Sequence, residues 1–244
     1  MRASELERWQ SRQGEIVNAH ARVGGELREL VIPSAIPDSA VAHYDATQEG
    51  ATGPISTIND LIGSADLSGD ATVISDGING EETYRFADDE LMRTTTNIAD
   101  TDPLTVLAVI RPQNATPNED VLMLDGDDIN TFAARIEEDG TEHAVRRGGS
   151  GGEGGSPSTD PQLFELEGRN GDEINFRVDG AEIISATGNP YDLSGFTVAG
   201  RGDGGSGNSA EIDVGEIVIL EDHAPDDQDG ERSRLSDKWG ISLD

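Results

Sequence analysis

Three acidic residues near the end of the chain have the type and spacing of a paired-carboxylate site. They lie in the run Glu211-Ile212-Asp213-Val214-Gly215-Glu216. Alternate side chains of a β-strand point to one face, so Glu211 and Asp213 share a face. A bulge at Gly215 would return Glu216 to that face. Two carboxylates held about 5–5.5 Å apart could then cleave a glycosidic bond with retention of configuration.

The same run has a second interpretation, in which it does no chemistry. Acidic and aliphatic residues alternate in any half-exposed strand of a strongly acidic protein. A sugar groove also needs aromatic platforms, and the chain has only two tryptophans, Trp9 and Trp239, which we assign to structural roles. We therefore expect a protein that is not an enzyme. Catalysis by Glu211, Asp213 and Glu216 stays as the alternative.

A second acidic cluster follows an apolar run and consists of Asp125, Asp127 and Asp128. Carboxylate oxygens are the ligands that Ca²⁺ prefers, although this spacing is not that of an EF-hand. A calcium ion at this cluster is one interpretation, and solvated surface acid is the other. The four histidines are far apart in sequence and lack the spacing of a zinc site. The sequence therefore demands no cofactor.

The charge of the whole chain indicates the solvent in which the protein works. It has 49 acidic and 17 basic residues, a formal charge of −32, and Lys238 as its single lysine. Self-repulsion of this size costs stability in dilute buffer. Molar salt removes the cost, because the Debye length falls to about 3 Å. The acid is spread between apolar runs rather than gathered in blocks, which favours a folded halophilic protein over a disordered tail.

The same composition excludes several classes of partner. The net charge argues against binding to nucleic acid and to anionic membranes. No apolar run approaches the roughly 20 residues of a membrane span, so no membrane insertion is expected. The chain has no cysteine, which rules out disulfides and thiolate metal sites.

The N-terminal residues 1–38 differ chemically from the rest of the chain. Residues 1–30 hold five arginines and five glutamates and carry no net charge, so the later residues account for the whole −32. A heptad-like apolar spacing predicts an amphipathic helix that ends at Gly24-Gly25. We expect this helix and the following linker to form an anchor or an oligomerisation element, with a helix packed on its own domain as the alternative. The seam of the predicted helix is formed by Leu6, Trp9, Gln13, Ile16, His20 and Val23.

From residue 39 onward the hydrophobic period is two. Short alternating runs separated by Gly, Asp and Pro turns predict an antiparallel two-sheet sandwich over residues 39–244. Residues 104–111 are apolar nearly throughout, which predicts a central strand buried on both faces. Asp179-Gly180 predicts a tight hairpin. The glycine-rich run 148–158 predicts a surface loop, and residues 226–239 predict a short helix that covers the sandwich.

These elements, in this order, resemble the laminin-G-like, concanavalin A-like jelly-roll superfamily. The resemblance is carried by VAHYDA, YRFADDELM, PLTVLAVIRP and INFRVDGAEI, and most specifically by the strand that begins at Gly215-Glu216 and the helix that ends in Lys238-Trp239-Gly240. It covers about residues 40–243. It implies an all-β fold, a two-sheet antiparallel jelly-roll sandwich, here with an N-terminal helix and a short C-terminal helix. The superfamily includes lectins, adhesion modules, glycosidases and structural proteins of tailed viruses, so it does not imply one function.

The run from Glu211 to Glu216 also resembles the E-[ILV]-D-x-x-E strand of retaining endo-glucanases and carrageenases of this fold. That resemblance implies a nucleophile at Glu211, an acid/base at Glu216 and a tuning carboxylate at Asp213. In those enzymes the catalytic strand lies in the middle of the chain, whereas here it directly precedes the C-terminal helix.

Together these observations predict a structural and adhesion protein of a tailed virus that infects halophiles, as a fibre, spike or capsid-decoration module. We expect residues 1–38 to bind other virion proteins and to form a homo-oligomer. We expect the sandwich to bind a cell-surface glycan or glycoprotein, and the protein to lie on the virion surface after assembly in a high-salt cytoplasm. A salt-tolerant retaining glycosidase and a cellular carbohydrate-binding module are the alternatives.

Overall fold

The chain divides into two units, Met1–Ala35 and Ile36–Asp244. The computed structural model describes residues 19–23, 26–30, 36–87, 89–98, 104–113, 119–124, 132–136, 142–147, 150–168, 173–187, 195–200, 210–221 and 225–244. Over these ranges, no helix combines the length and the apolar character needed to span a membrane.

The first unit contains a β-hairpin where the sequence predicted the end of a helix. Strand β1 (Ala19–Val23) pairs antiparallel with β2 (Glu26–Leu30), and His20 lies opposite Glu29. The prediction of a helix through His20 and Val23 is therefore wrong. Gly24-Gly25, which we took as a helix stop, is also a favoured sequence for a two-residue hairpin connection. The other four residues of the predicted seam, Leu6, Trp9, Gln13 and Ile16, lie outside the described residues.

The second unit is built of strands, with one α-helix in its described part. The strands are β3 (Ala40–Asp45), β4 (Gly53–Ile58), β5 (Leu67–Ile74), β6 (Thr83–Phe86), β7 (Met92–Thr94), β8 (Leu104–Pro112), β9 (Glu119–Leu124), β10 (Phe132–Ile136), β11 (His143–Arg147), β12 (Ser150–Gly154), β13 (Gln162–Gly168), β14 (Glu173–Val178), β15 (Ala181–Thr187), β16 (Phe196–Val198) and β17 (Ile212–Glu221). The helix is α1 (Pro225–Trp239).

The fifteen strands form one antiparallel sheet that folds over on itself. Its order is β12-β11-β10-β9-β16-β7-β5-β6-β17-β8-β13-β14-β15, with β3 paired to β17 and β4 paired to β5. The ring of His143 on β11 meets Phe164 on β13 and Phe176 on β14 edge-on, with ring centroids 5.3 and 5.8 Å apart. Strands distant in the sheet order therefore face each other across the core. This confirms the predicted all-β sandwich and the C-terminal helix.

Strand β8 is buried on both faces, as its apolar run predicted. Val106 and Ala108 point into the core between the two layers. Leu107 and Val109 point to the opposite face, where they pack with Leu235 of α1. We call this second surface the helix-side face; its apolar residues on the sheet are Leu107, Val109, Leu163, Val218 and Leu220.

The glycine-rich run contains a strand, which corrects the prediction of a loop. Ser150–Gly154 pairs antiparallel with β11 over its whole length. A Cβ on Gly152 would lie 2.8 Å from Cγ2 of Ile184, and one on Gly154 would lie 2.7 Å from the carbonyl oxygen of Ile183. Glycine is therefore needed because β12 packs tightly against β15. Composition alone indicated flexibility, whereas the small residues here permit close approach.

Two glycines end elements as predicted. Asp179 and Gly180 adopt φ of 54° and 87° and connect β14 to β15 in a two-residue hairpin. Gly240 adopts φ of 63° directly after α1, and the N–H of Ile241 donates to the carbonyl of Ser236 at 3.0 Å. Both positions need the left-handed conformation that glycine adopts without a steric penalty.

The buried histidine predicts a loss of stability in mild acid. His143 is 1% exposed, and neither ring nitrogen has a hydrogen-bond partner. Burial lowers the pKa of His143 to about 4. Below pH 6.5 this histidine is protonated in the unfolded chain but stays neutral in the folded chain. The free energy of unfolding therefore falls between pH 6.5 and 4, by up to about 3 kcal/mol. Chemical unfolding at fixed salt should show this fall. In His143→Phe the slope in that window should be shallower, and an unchanged slope would contradict the assignment.

Candidate functional site

A bulge in β17 places Asp213 and Glu216 on one face of the sheet. The register between β17 and β8 shifts between Val214 and Ile217. Ile212 and Val214 point into the core before the shift, and Ile217 does so after it. Asp213 and Glu216 therefore both face the helix side, which is the geometry that the sequence predicted from Gly215. At the same point the neighbour of β17 changes from β6 to β3.

Helix α1 covers the face that these two carboxylates share. Leu235 and Trp239 pack on Val218 and Leu220 of β17. Trp239 lies directly on the bulge, since a Cβ added to Gly215 would lie 2.7–2.8 Å from three carbons of its indole ring. Gly215 thus permits the backbone bulge and also leaves room for the indole ring of Trp239. Glu216 is 0% exposed beneath the helix, and Asp213, which lies earlier on the same strand, is also 0% exposed.

Asp213 is held between two arginines that lie beside it on neighbouring strands. Its cross-strand partners are Arg85 on β6 and Arg111 on β8. Arg85 donates to both carboxylate oxygens, from Nε at 2.8 Å and from Nη2 at 2.9 Å. Arg111 donates through Nε at 3.1 Å and through Nη2, and Gln113 donates through Nε2 at 2.8 Å. The donors come from β6, from β8 and from the residue directly after β8, so this cluster ties β6, β8 and β17 together.

Glu216 is held mainly by the helix. Arg234 Nη2 and Lys238 Nζ each lie 2.6 Å from one of its carboxylate oxygens, and Trp239 Nε1 donates at 3.1 Å. The imidazole of His43 lies 2.8 Å away through Nε2, which must be the donor because an ionised carboxylate only accepts. Lys238 also contacts Asp45 at 2.8 Å. Sheet and helix therefore meet at one buried anion.

The electrostatics of the cluster keep Glu216 ionised. Burial by itself would raise the pKa of Glu216, but the hydrogen bond from His43 and the charges of Arg234 and Lys238 hold it well below its usual range. Burial raises the pKa of neighbouring Glu231, although Arg234 opposes that shift from 2.7 Å. A catalytic general acid needs a pKa near the working pH, which for a glutamate means a raised pKa. The environment of Glu216 lowers its pKa instead.

The same residues have the composition of a metal site. One ligand atom each from His43, Asp45 and Glu216 lies within 4.8 Å of the others. Lys238 contacts both carboxylates, and Arg234 contacts one of them. The positive charge that two buried carboxylates require is thus supplied by the side chains of α1. The donor set is explained as an ion-pair cluster.

A third buried acid on the helix-side face repeats the arrangement. Arg232 of α1 forms a two-pronged contact with Glu165 on β13, from Nε and Nη2 at 2.8 Å each. Arg177 on β14 reaches Glu165 and Glu167, both at 3.3 Å. Arg177 and Arg232 thus lie beside buried carboxylates, as do the arginines at Asp213 and Glu216.

Of the other acidic residues predicted to form a site, the structure describes only Glu211. Glu211 is half-buried just before β17, and its backbone carbonyl accepts from the N–H of Gln113 at 2.8 Å. Asp125, Asp127 and Asp128 lie outside the described residues. Sequence analysis missed His43, Asp45, Arg85, Arg111, Arg234 and Lys238 as partners of the carboxylates. The one signal for them was that Lys238 is the only lysine of the chain.

Comparisons with known proteins identify a fold rather than a family. No family model and no curated protein matches this chain. Trypanosoma rangeli sialidase is similar in structure with a TM-score of 0.62 and 16% identity, over 88% of this chain and 36% of the sialidase. Domain 4 of AbnA, a GH43 extracellular arabinanase from Geobacillus stearothermophilus solved with arabinotriose, gives 0.54 and 14%, over 78% of this chain and 96% of that domain.

A binding domain shares the fold as well. The binding domain of botulinum neurotoxin DC, solved with rat synaptotagmin II, gives a TM-score of 0.56 and 13% identity, over 83% of this chain and 52% of the toxin domain. At such identities the likeness shows the β-sandwich alone. The chain spans 36% of the length of the sialidase. These neighbours are carbohydrate-active or binding proteins, and what they share with this chain is the sandwich architecture.

A pair of glycine substitutions tests the seat of Trp239. Gly215→Ala should destabilise the fold by about 1–3 kcal/mol, because the new methyl group overlaps the indole. Gly230→Ala in α1 is the matched control: its Cβ meets nothing within 4 Å, so it should stabilise by about 0.4–1 kcal/mol. Thermal unfolding in constant molar salt measures both. Equal effects of the two substitutions would show that Trp239 does not rest on the bulge.

The role of Glu216 is tested by removing its charge. Glu216→Gln should cost about 3 kcal/mol, the lower end for breaking a buried ion pair, because Arg234 and Lys238 keep Glu231 and Asp45 as partners. Glu182→Gln is the control. Its side chain is 47% exposed and lies 3.4 Å from Arg177, and such surface pairs are worth about 0–1 kcal/mol. A Glu216→Gln protein of full stability that had lost a sugar-cleaving activity would instead establish Glu216 as catalytic.

Proposed function

We propose that this protein is a non-catalytic, carbohydrate-binding β-sandwich that works in molar salt. The proposal rests on the burial of the acidic residues on β17. Asp213 and Glu216 are 0% exposed and bonded to cations, so neither is open to a sugar chain. Helix α1 covers Glu216, and two arginines of the sheet enclose Asp213. The likeness to carbohydrate-active and binding sandwiches supports a glycan as the ligand.

We further propose that the sandwich is displayed in several copies on the virion of a tailed virus of halophiles, after assembly in a high-salt cytoplasm. The support is the contrast in charge between the N-terminal 30 residues, which are neutral, and the remainder, which carries −32. A surface exposed to brine would be acidic like the rest of the chain. A two-stranded sheet such as β1–β2 is also marginally stable by itself in water. Residues 1–38 therefore bind other copies of the chain and other virion proteins.

Truncation tests both parts of the proposal. A chain that begins at Ile36 keeps the residues that pack on the helix-side face, including Ile36 itself. In 2–3 M salt, where charge repulsion is screened over about 3 Å, the full chain should be an oligomer and the truncated chain a monomer. On a glycan-coated surface the full chain should be retained about 10²-fold more strongly, because linked sites bind with avidity.

Each outcome has a separate meaning. If the full chain and the truncated chain are both monomers, the proposed display through the N-terminal residues is overturned. An oligomer that releases sugar from the surface would favour the glycosidase alternative. Equal retention of the two chains, with an oligomer present, would show that the copies do not engage glycan together.

A further inference from the structure

The loop between β4 and β5 is held rigidly by one carboxylate. Asp60 accepts hydrogen bonds from the backbone N–H groups of His43, Ile62 and Ala65 at 3.1–3.2 Å. The hydroxyl of Tyr44 donates to the carbonyl of Ala65 at 2.7 Å. A Cβ on Gly63 would lie 2.4 Å from Oδ2 of Asp60, so the backbone closes tightly around that carboxylate. Such a loop is organised before any ligand arrives.

This loop presents two large apolar side chains to solvent. Leu61 is 44% and Ile62 is 46% exposed, and in the described part of the chain only Leu243 joins them as a large exposed hydrophobic residue. Single exposed apolar residues need no explanation. Two adjacent ones on a fixed loop of a strongly acidic surface are a candidate contact for a ligand.

A depression of about 300 Å³ lies beside the loop. Its apolar wall includes Val41 and Ile98, and its polar groups include Ser64, Asn97 and Glu221. Aliphatic surface next to an amide, a hydroxyl and a carboxylate is what one sugar ring contacts with its C–H face and its hydroxyl groups. The volume is at the lower end for ligand sites, which fits one or two rings.

We propose that this depression, which Gly63, Ser64 and Ala65 of the same loop line, binds the end of a neutral or amino-substituted glycan. The inference rests on the proposed carbohydrate-binding function and names its site. A carboxylated sugar is disfavoured because the chain carries a net charge of −32, and like charges still repel at contact distances where molar salt screens longer ones. A protonated amino sugar would be attracted by the same net charge.

The lining also sets the strength of binding. None of the named lining residues is aromatic, so stacking adds nothing and a single site should bind on the order of millimolar. An affinity of this size is useful when several copies bind one surface together. The site and the proposed multi-copy display therefore depend on each other.

The test uses the full chain in 2–3 M salt on an immobilised panel of neutral, amino and carboxylated glycans. Ser64→Trp should fill the depression and reduce retention at least tenfold. Asn97→Ala should reduce it about two- to tenfold, the loss expected for one hydrogen bond, and it leaves the loop bonds of Asp60 intact. Ser233→Trp, on the exposed side of α1, is the matched control and should retain full binding.

The failure of the site is distinguishable from the failure of the function. If the unaltered chain binds and both site variants bind equally well, the site lies elsewhere and the function stands. A preference for carboxylated glycans would overturn the proposed ligand class. If the unaltered chain binds no member of the panel, and millimolar free sugars leave its NMR spectrum unchanged, both proposals fall.

Discussion

The buried carboxylate of Glu216 is the interaction on which the rest of the second unit depends. The backbone bulge at Gly215 turns this carboxylate toward the helix, and the indole of Trp239 packs directly on the same bulge. The carboxylate is then neutralised by Arg234 and Lys238, which α1 supplies from successive turns on one side. A buried charge without partners would cost several kcal/mol. Sheet and helix therefore need each other, because without α1 the anion would lack its cations and without the bulge the helix would lack its anion.

The placement of cations reconciles an extremely acidic chain with a stable core. Arg85, Arg111, Arg232, Arg234 and Lys238 all contact carboxylates that are nearly or fully buried. Ion pairs of this kind are screened less by salt than pairs on the surface. These five cations come from only 17 basic residues, which leaves few to offset the rest of the 49 acidic residues of the chain. In the described residues, arginine and lysine thus lie at buried carboxylates, and exposed Glu182 and Asp229 share arginines that also bind buried acids.

Local features of the fold were predictable, and partnerships across the chain were not. The bulge at Gly215 and the hairpin at Asp179-Gly180 follow from backbone chemistry that two or three residues determine. The bond between Glu216 and His43 joins residues 173 positions apart, so alternation on β17 places the carboxylate on a face without indicating what covers it. A short segment can also match both the helical and the strand spacing of apolar residues. For this reason His20 matched the spacing of a helix but lies on a strand. Gly152 shows the limit of composition, since glycine that permits close packing resembles glycine that permits motion.

The closure of the helix-side face bears on where a ligand can bind. The outer surface of β17, β8 and β13 carries α1 and the ion pairs that α1 forms with Glu165 and Glu216. The loop shaped by Asp60 meets different requirements, because its bonds run to its own backbone and to β3, and Leu61 and Ile62 remain exposed. The carboxylates that hold the fold together are thus covered, whereas the proposed recognition loop is exposed. The recognition module that we propose can keep such a scaffold while its ligand changes, whereas a paired-carboxylate enzyme needs acids that stay open to substrate.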